Sequence, residues 1–245
     1  MNKSCVTPHF GEIKPWKRYL KWLLRIMLIT GAISAILVGE VFFGVLVFIA
    51  LAIITWPRYA TANHVCHIPV EIEILFLLVV FLELILADAN SFYTRFDYYD
   101  KFMHILVPAV LGLIGMMIIY TFYALGRLQA SLGVMFAIIV MVVMGMGAAL
   151  EMSEYFYDQI LYPLVGQWLP TGLTQGSHLA PPLNDTMQDL WADLFGALLG
   201  ALLGVWLIKR AEREGKEPTI VEELEAEIEL SSPSSDEETQ ERDAK

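Results

Sequence analysis

Long apolar runs separated by short polar segments dominate the chain between residues 22 and 208. A helix needs about 20 mostly apolar residues to cross the hydrocarbon core of a bilayer. The first run, 22–56, is long enough for two such helices with a break near Gly39 and Glu40. Four further runs lie at 70–87, about 101–125, 131–156 and 186–208. The pattern therefore predicts an all-α, polytopic integral membrane helix bundle with about six transmembrane helices.

The same pattern divides the chain into three parts. A polar N-terminal segment covers 1–21, the six-helix transmembrane domain covers 22–208, and an acidic tail covers 209–245. The tail contains one helix-like run, TIVEELEAEIEL, and is otherwise rich in Ser, Glu and Asp, a composition typical of disordered segments. We therefore expect a mostly disordered tail that keeps the protein soluble at the membrane surface.

The positions of lysine and arginine predict the orientation in the membrane, because cytoplasmic loops carry an excess of both residues. The connection at 157–185 contains neither, which places it outside the cytoplasm. Basic residues instead flank the first and the last span: Lys14, Lys17, Arg18, Lys21, Lys209, Arg210, Arg213 and Lys216. We therefore predict a multi-pass protein of the cell membrane with both termini in the cytoplasm.

Composition agrees with a membrane protein and excludes other classes. Of the 245 residues, 56% are hydrophobic and 18% are charged, and much of the acid behind the net charge of −11 lies in the tail. Because no basic stripe offsets this charge, we expect no nucleic acid as a partner. The apolar composition instead indicates membrane lipid as a partner. Two cysteines, Cys5 and Cys66, are too few for a disulfide framework. The sequence leaves the oligomeric state open.

Ionisable residues collect at the predicted outer ends of the last four spans. At about 100° per residue, Asp185, Asp189 and Asp193 share one helix face, which continues through a stripe of glycines. This stripe consists of Gly196, Gly200 and Gly204. Since small residues let membrane helices approach closely, we expect this face, with its carboxylates, to point into the bundle rather than toward lipid.

These residues predict a polar pocket that is sunk into the outer leaflet and opens outward. The candidate catalytic residues, which are also the candidate metal ligands, are His104, Glu151, Asp189 and Asp193. The candidate substrate-binding residues are Asp100, Lys101, Glu154 and Asp158. Carboxylates with one imidazole suit a divalent cation such as Mg²⁺, Mn²⁺ or Zn²⁺. Such a pocket would bind or process the head group of an envelope lipid or a cell-wall precursor.

Other functions fit the same residues. Without a metal, a protonated glutamate and His104 could serve as general acid and base. Intramembrane carboxylates also mark small-solute, cation or proton transporters. A structural or accessory protein without catalytic activity would use the polar cluster to hold its helices in register. Asp185 has a separate explanation, because an aspartate at a helix start can cap the helix.

Two further segments hold residues that could bind a ligand. HVCH at 64–67 has two histidines and a cysteine, although a fourth metal ligand is missing nearby. The connection at 157–185 is long and rich in proline and glycine, so it could form a lid that brings His178 to the pocket.

Three motifs carry a resemblance to a known family: DKFMHILVPAVLG at 100–112, EMSEYFYD at 151–158 and NDTMQDLWADLFGALLG at 184–200. With them the chain resembles the YjdF-like inner-membrane protein family over most of 20–208. This resemblance implies an inner-membrane helix bundle without implying a particular reaction.

More distantly, the chain is similar to the VanZ-like membrane proteins. In that family one span begins with Asp-Lys-x-x-His, another ends in Glu, and an Asp-containing segment opens a Gly-rich helix. The resemblance places these roles at Asp100, Lys101 and His104, then at Glu151, and then at Asp189 or Asp185. The chain departs from the VanZ-like pattern in having aspartate where asparagine is expected near 193, and in lacking an arginine shortly before the aspartate.

Overall fold

The computed structural model describes residues 14–55, 69–89, 92–165, 180–216 and 218–231. Every regular element in these ranges is a helix. The helices are α1 (Pro15–Val38), α2 (Val41–Thr55), α3 (Val70–Val80), α4 (Phe92–Arg95), α5 (Tyr99–Ala124), α6 (Leu132–Phe156), α7 (Tyr162–Val165), α8 (Pro182–Arg213) and α9 (Thr219–Ser231). The HVCH motif and His178 lie outside the described residues, as do residues 1–13 and 232–245.

Four of the described helices are long and apolar enough to cross a membrane: α1, α5, α8 and the continuous helical stretch Leu132–Leu164 that begins with α6. Helix α2 is apolar but shorter, with 15 residues. The predicted third span is helical from Val70 to Ala89, with α3 continuing as a π-helical segment, Phe81–Ala89. The all-α fold is confirmed over the described residues.

A tight turn separates α1 from α2 at the predicted break. Gly39 ends α1 with a backbone φ of 102°, a left-handed conformation that residues with a Cβ adopt at a cost. Its N–H returns to the carbonyls of Ala35 and Ile36, which satisfies groups left open at the helix end. The apolar run at 22–56 therefore forms two helices, as the sequence predicts.

The helices pack in two groups, each with its own apolar core. The first group joins α1, α2 and α3 around Leu28, Val47 and Leu77. The second joins α5, α6 and α8 around Met116, Met135 and Ala201. The second group brings together the three motifs singled out in the sequence.

Within the second group, α5 and α8 approach closely enough for backbone contact. A Cβ added at Gly196 would overlap the carbonyl oxygen of Ile105, and one at Gly200 would overlap that of Ala109. Both glycines are therefore required by the spacing of the two helices, as in other small-xxx-small contacts. The predicted direction of the glycine stripe, into the bundle, is confirmed.

A π-helical segment and a proline interrupt the regular α-helical pattern near the same end of the bundle. The π-helical segment Phe81–Ala89 interrupts the regular i to i−4 backbone hydrogen bonds of the helix. Within this segment the carbonyl of Leu82 accepts a hydrogen bond from Tyr99 Oη at 2.9 Å. Pro108 lies inside α5, where it supplies no N–H for the carbonyl of His104 one turn earlier. We call this region, at the start of α5, the His104 end of the bundle.

The helix-like run in the acidic tail forms α9, which packs against α5. Val221 is fully buried in the core of the second group, and Ile220 packs beside it. The tail therefore contributes an apolar anchor to the bundle before its acidic end. This packing goes beyond the solubilising role expected from its composition.

Candidate functional site

The polar residues of α5, α6 and α8 meet at the His104 end. The side chains of His104, Glu151, Asp189 and Asp193 are all buried there, with at most 8% of each residue exposed. They come from three helices whose apolar faces pack together below them. All four candidate catalytic residues thus lie in one cluster, which we call the His104 cluster.

His104 is held by one carboxylate and faces three others. Its Nδ1 lies 3.0 Å from Asp193 Oδ1, a hydrogen-bond distance. An ionised carboxylate only accepts hydrogen bonds, so Nδ1 carries the proton of this bond. The other ring nitrogen, Nε2, faces carboxylate oxygens of Asp100 at 3.7 Å, Asp189 at 3.8 Å and Glu151 at 4.0 Å.

Lys101 joins α5 to α8 beside His104. Its Nζ donates to Asp189 Oδ1 at 2.6 Å, to Asp185 Oδ1 at 2.7 Å and to Asp100 Oδ2 at 3.1 Å. A lysine ammonium has three N–H groups, and these three carboxylates can accept all of them. Lys101 therefore neutralises and positions aspartates rather than offering its charge to an anionic group.

Asp185 does not cap α8, so the capping explanation is wrong. The helix begins at Pro182, with Pro181 at the N-cap position and no capping side-chain hydrogen bond. This earlier start places Asp185 in the first turn, on the buried face, where it accepts from Lys101. Asp185 therefore belongs to the His104 cluster with the other two aspartates of α8.

Asp193 fits against α6 because residue 147 is glycine. A Cβ added at Gly147 would overlap Asp193 Oδ2. The position of the carboxylate that holds His104 is thus determined by α6 as well as by α8. Gly145, on the same helix, has open space where its Cβ would lie.

Two more acidic residues, Glu83 and Glu154, lie near the cluster, and a third candidate, Asp158, lies on the same helical stretch as Glu154. Glu83, in the π-helical segment, accepts a hydrogen bond from Tyr93 Oη at 2.7 Å and lies in electrostatic range of His104 and Asp100. Glu154 is one turn from Glu151 and in electrostatic range of His104, Asp100 and Asp189. Asp158 lies in a second π-helical segment, Tyr157–Leu161, and is not among the four carboxylates that face His104.

A second buried charge cluster, which the sequence reading missed, lies between α1 and α3. Arg25 donates from Nε and Nη2 to Glu73 Oε1 at 2.9 and 2.6 Å, and Lys21 Nζ lies 3.4 Å from Glu73 Oε2. Lys17 pairs with Glu71 at the margin of this Glu73 cluster. The signal was present in the sequence, because Lys17, Lys21 and Arg25 are spaced four apart and share one helix face.

The His104 cluster contains a group with the spacing of metal ligands. One ligand atom each from Asp100, His104 and Asp189 lies within 4.8 Å of the other two. Asp193 lies on the opposite side of the imidazole ring, at Nδ1. The structure thus groups Asp100 with His104 and Asp189, whereas the sequence had placed Asp100 among the substrate-binding residues.

Comparison with known proteins agrees with the membrane character of these helices. No curated protein and no solved structure matches the chain. A family model described as predicted membrane protein (DUF2238) matches residues 18–210, which include every residue of the His104 cluster. The resemblance to the YjdF-like proteins is confirmed, since YjdF is a member of that family. The chain belongs to the DUF2238 family of predicted membrane proteins.

Proposed function

We propose that this protein binds or processes the polar head group of an envelope lipid or a cell-wall precursor at the His104 cluster. In this proposal six spans cross the cell membrane and both termini lie in the cytoplasm. The His104 cluster then faces away from the cytoplasm. This orientation follows from the lysine and arginine pattern, because the predicted outer connection at 157–185 contains neither residue.

One observation carries the proposal: a buried imidazole is oriented by one carboxylate while its other nitrogen faces three more. Asp193 holds Nδ1 of His104 at 3.0 Å, which directs Nε2 toward Asp100, Asp189 and Glu151. A histidine held in this way can exchange a proton with a bound group at Nε2, with Asp193 maintaining the ring orientation. A purely structural ion pair would not need the second nitrogen directed at several carboxylates.

The gradient of exposure indicates how a head group would reach the cluster. The side chains of Asp100 and Lys101 are 35% and 22% exposed, whereas those of Asp189 and Asp193 are 4% and 2% exposed. A polar group that enters from the membrane surface past Asp100, in the first turn of α5, would reach Nε2 of His104. A lipid head group occupies that depth of a bilayer while its chains remain in the hydrocarbon core.

The packing below the cluster supports a pocket open at one end rather than a transport path. Met116, Met117, Met135, Ile139 and Val143 are buried between α5, α6 and α8, on the side away from His104. An ion or proton moving between the two faces would need polar groups or water through this layer. The observations therefore favour head-group binding over the transporter alternative.

The charge of the cluster predicts what the ligand contributes. Lys101 is engaged by three aspartates, and Glu83, Glu151 and Glu154 add further carboxylates around His104. An anionic head group alone would add repulsion in a weakly screened site. The ligand should therefore supply positive charge, either through an ammonium group or through a cation that accompanies a phosphate.

The test is analysis of lipids that copurify with the protein in lipid nanodiscs drawn directly from the host membrane. Native mass spectrometry would compare wild-type protein with His104→Ala and Asp193→Asn, and the same samples would be incubated with total envelope lipid to detect products. We expect one head-group class to be enriched with wild-type protein and lost in both variants.

Asp97→Asn is the matched control, since Asp97 is exposed and lies near the start of α5 outside the His104 cluster. Its lipid profile should equal that of wild-type protein. If all four proteins carry the same lipids and none forms a product, head-group recognition at this site is ruled out and the structural role of the cluster is favoured.

A further inference from the structure

We infer that the His104 cluster is a binding site for one divalent metal ion, with Asp100, His104 Nε2 and Asp189 as ligands, Glu151 as an additional ligand and Asp193 as the residue that orients His104. This inference deepens the proposed function, on which its biological role rests, by naming the cation that the site takes. With a metal bound at Nε2, His104 would act as a ligand and not as a proton donor or acceptor. It also changes the set of ligands expected from the sequence, because Asp100 replaces Asp193.

The strongest observation is the orientation of His104 Nε2. The residue is 8% exposed, and within the described part of the chain Nε2 has no partner at hydrogen-bond distance. In a residue this buried, each ring nitrogen is expected to have a hydrogen-bond or metal partner. In the neutral tautomer whose Nδ1 proton is shared with Asp193, Nε2 presents a lone pair to the space between the carboxylates, and this is the form that binds a metal ion. A metal ion at that position would satisfy it.

The carboxylate oxygens lie slightly farther from His104 Nε2 than the ligands of a bound metal ion would. Metal–ligand distances of about 2.0–2.2 Å place neighbouring ligand atoms roughly 3.4 Å apart in a tetrahedral site. The observed distances from Nε2 to Asp100, Asp189 and Glu151 are 3.7, 3.8 and 4.0 Å. Side-chain rotations that move each oxygen by a few tenths of an ångström would bring its distance from Nε2 close to this value. The ligand atoms of Asp100, His104 and Asp189 already lie within 4.8 Å of one another.

Neighbouring residues form hydrogen bonds to these ligands, as residues around the ligands of known metal sites do. Asp193 bonds the nitrogen of His104 opposite the proposed ion, the arrangement that fixes a metal-binding imidazole. Lys101 bonds Asp100 through Oδ2, which leaves Oδ1 directed at His104, and it also bonds Asp189. The lysine therefore orients Asp100 from the side away from Nε2, whereas on Asp189 it bonds Oδ1, the same oxygen that lies 3.8 Å from Nε2.

The donor set indicates which metal the site takes. Carboxylate oxygens suit Mg²⁺, Mn²⁺ and Ca²⁺, whereas imidazole nitrogen suits Zn²⁺ and the other first-row metals. One imidazole with two or three carboxylates therefore favours Mn²⁺ or Zn²⁺ over Mg²⁺. A metal here would also provide the positive charge that the cluster lacks, and it could bind a phosphate oxygen of a head group.

The experiment measures metal on the full chain in nanodiscs without reference to activity. Protein is purified without chelator, its metals are quantified by mass spectrometry, and chelator-treated protein is titrated with Mn²⁺, Zn²⁺ and Mg²⁺ by calorimetry. We expect about one tightly bound ion per chain for Mn²⁺ or Zn²⁺ and weak binding of Mg²⁺. His104→Ala and Asp189→Asn should lose binding at concentrations that saturate wild-type protein.

Asp193→Asn separates an orienting residue from a ligand. It should retain metal with about 10–100-fold weaker affinity, the usual effect of losing an outer partner. Asp97→Asn, outside the cluster, should bind as wild type does. If the His104 variant does not fold, Co²⁺ bound to wild-type protein provides a second test, since its absorption spectrum distinguishes mixed nitrogen and oxygen ligation from oxygen alone.

The outcomes distinguish this inference from the proposed function. Wild-type protein that enriches a lipid but binds neither Mn²⁺ nor Zn²⁺ would overturn the metal site and leave head-group binding standing, with an ammonium group as the source of charge. Metal binding without any lipid preference would support the inference and count against the proposed function. Metal binding that persists unchanged in His104→Ala would also overturn the inference.

Discussion

The two buried charge clusters of this protein differ in how their charges are balanced. In the Glu73 cluster, Arg25 and Lys21 surround one carboxylate, and every distance is short enough for direct pairing. In the His104 cluster, Lys101 and His104 stand among many carboxylates, and Nε2 of the histidine lies beyond hydrogen-bond distance of three of them. The first arrangement is complete without a ligand, whereas the second gains from an added cation.

This contrast separates a structural cluster from a candidate binding site more clearly than burial does. Glu73 is 1% exposed and Asp193 is 2% exposed, so both carboxylates are equally removed from solvent. Burial of a charge is costly unless nearby groups compensate it. We therefore expect mutations in the Glu73 cluster to lower the stability of the protein and mutations in the His104 cluster to weaken ligand binding.

The largest expected effect is on the Glu73 cluster. Glu73→Gln would leave Arg25 and Lys21 buried beside a neutral group and should lower the free energy of unfolding by about 3–5 kcal/mol. Asp189→Asn, made in metal-free protein, should cost less than roughly 1 kcal/mol, because Lys101 keeps Asp100 and Asp185 as partners while one of several repelling carboxylates is removed. Equilibrium unfolding in mixed micelles measures both, and equal losses at the two clusters would remove the distinction between them.

The next effect is stabilisation by metal, which should act at one cluster alone. At a Mn²⁺ or Zn²⁺ concentration about 100 times the dissociation constant, binding adds about 2.7 kcal/mol to the free energy of unfolding. Thermal unfolding of wild-type protein should therefore shift upward with metal and return with chelator. His104→Ala should show no shift, whereas Arg25→Gln, although less stable, should keep it. A shift in His104→Ala would place the metal elsewhere.

Gly147→Ala tests whether the packing of α6 positions the His104 cluster. The added methyl group would overlap Asp193 Oδ2 and should cost about 1–3 kcal/mol of stability, the usual range for overpacking. It should also weaken metal binding by displacing Asp193 from His104. Gly145→Ala adds the same group to the same helix in open space, so its metal affinity should match that of wild-type protein and its stability should be equal or up to about 1 kcal/mol higher through helix propensity.

The smallest effect is expected at the margin of the Glu73 cluster. Lys17 and Glu71 pair there with both side chains 22% exposed. Partly exposed ion pairs contribute about 0–1 kcal/mol, so Lys17→Met should change the free energy of unfolding by no more than that. A loss as large as that of Glu73→Gln would mean that the whole basic face of α1 acts as one network.

The residues of the His104 cluster could be predicted from the sequence because the face on which each residue lies follows from the periodicity of its own helix. Helical periodicity alone places Asp185, Asp189 and Asp193 on the face of the glycine stripe, and close packing at Gly196 then directs that face toward α5. The four candidate catalytic residues meet because three amphipathic helices each present one polar end. Periodicity could not show which nitrogen of His104 each carboxylate would face: Asp193 lies at Nδ1 and Asp100 on the side of Nε2.

The features that the sequence reading missed depend on contacts between distant segments. Arg25 and Glu73 lie in separate apolar runs, and their pairing follows from the packing of α1 on α3. The start of α8 at Pro182 decides that Asp185 bonds Lys101 instead of capping the helix. The π-helical segment Phe81–Ala89 has no periodic signature, although it sets the position of Glu83 beside Tyr93.

Pro108 gives α5 a mechanical property that matters for a site built on its first turns. Because residue 108 lacks an N–H, the stretch that carries Asp100, Lys101 and His104 is joined to the rest of α5 by one backbone hydrogen bond fewer than a regular helix would have. Bending is therefore cheaper at this point than along the lower part of the helix. An ion that draws Asp100 and His104 toward Asp189 can be accommodated by a small tilt of this short segment, while the glycine contacts below keep α5 and α8 in place.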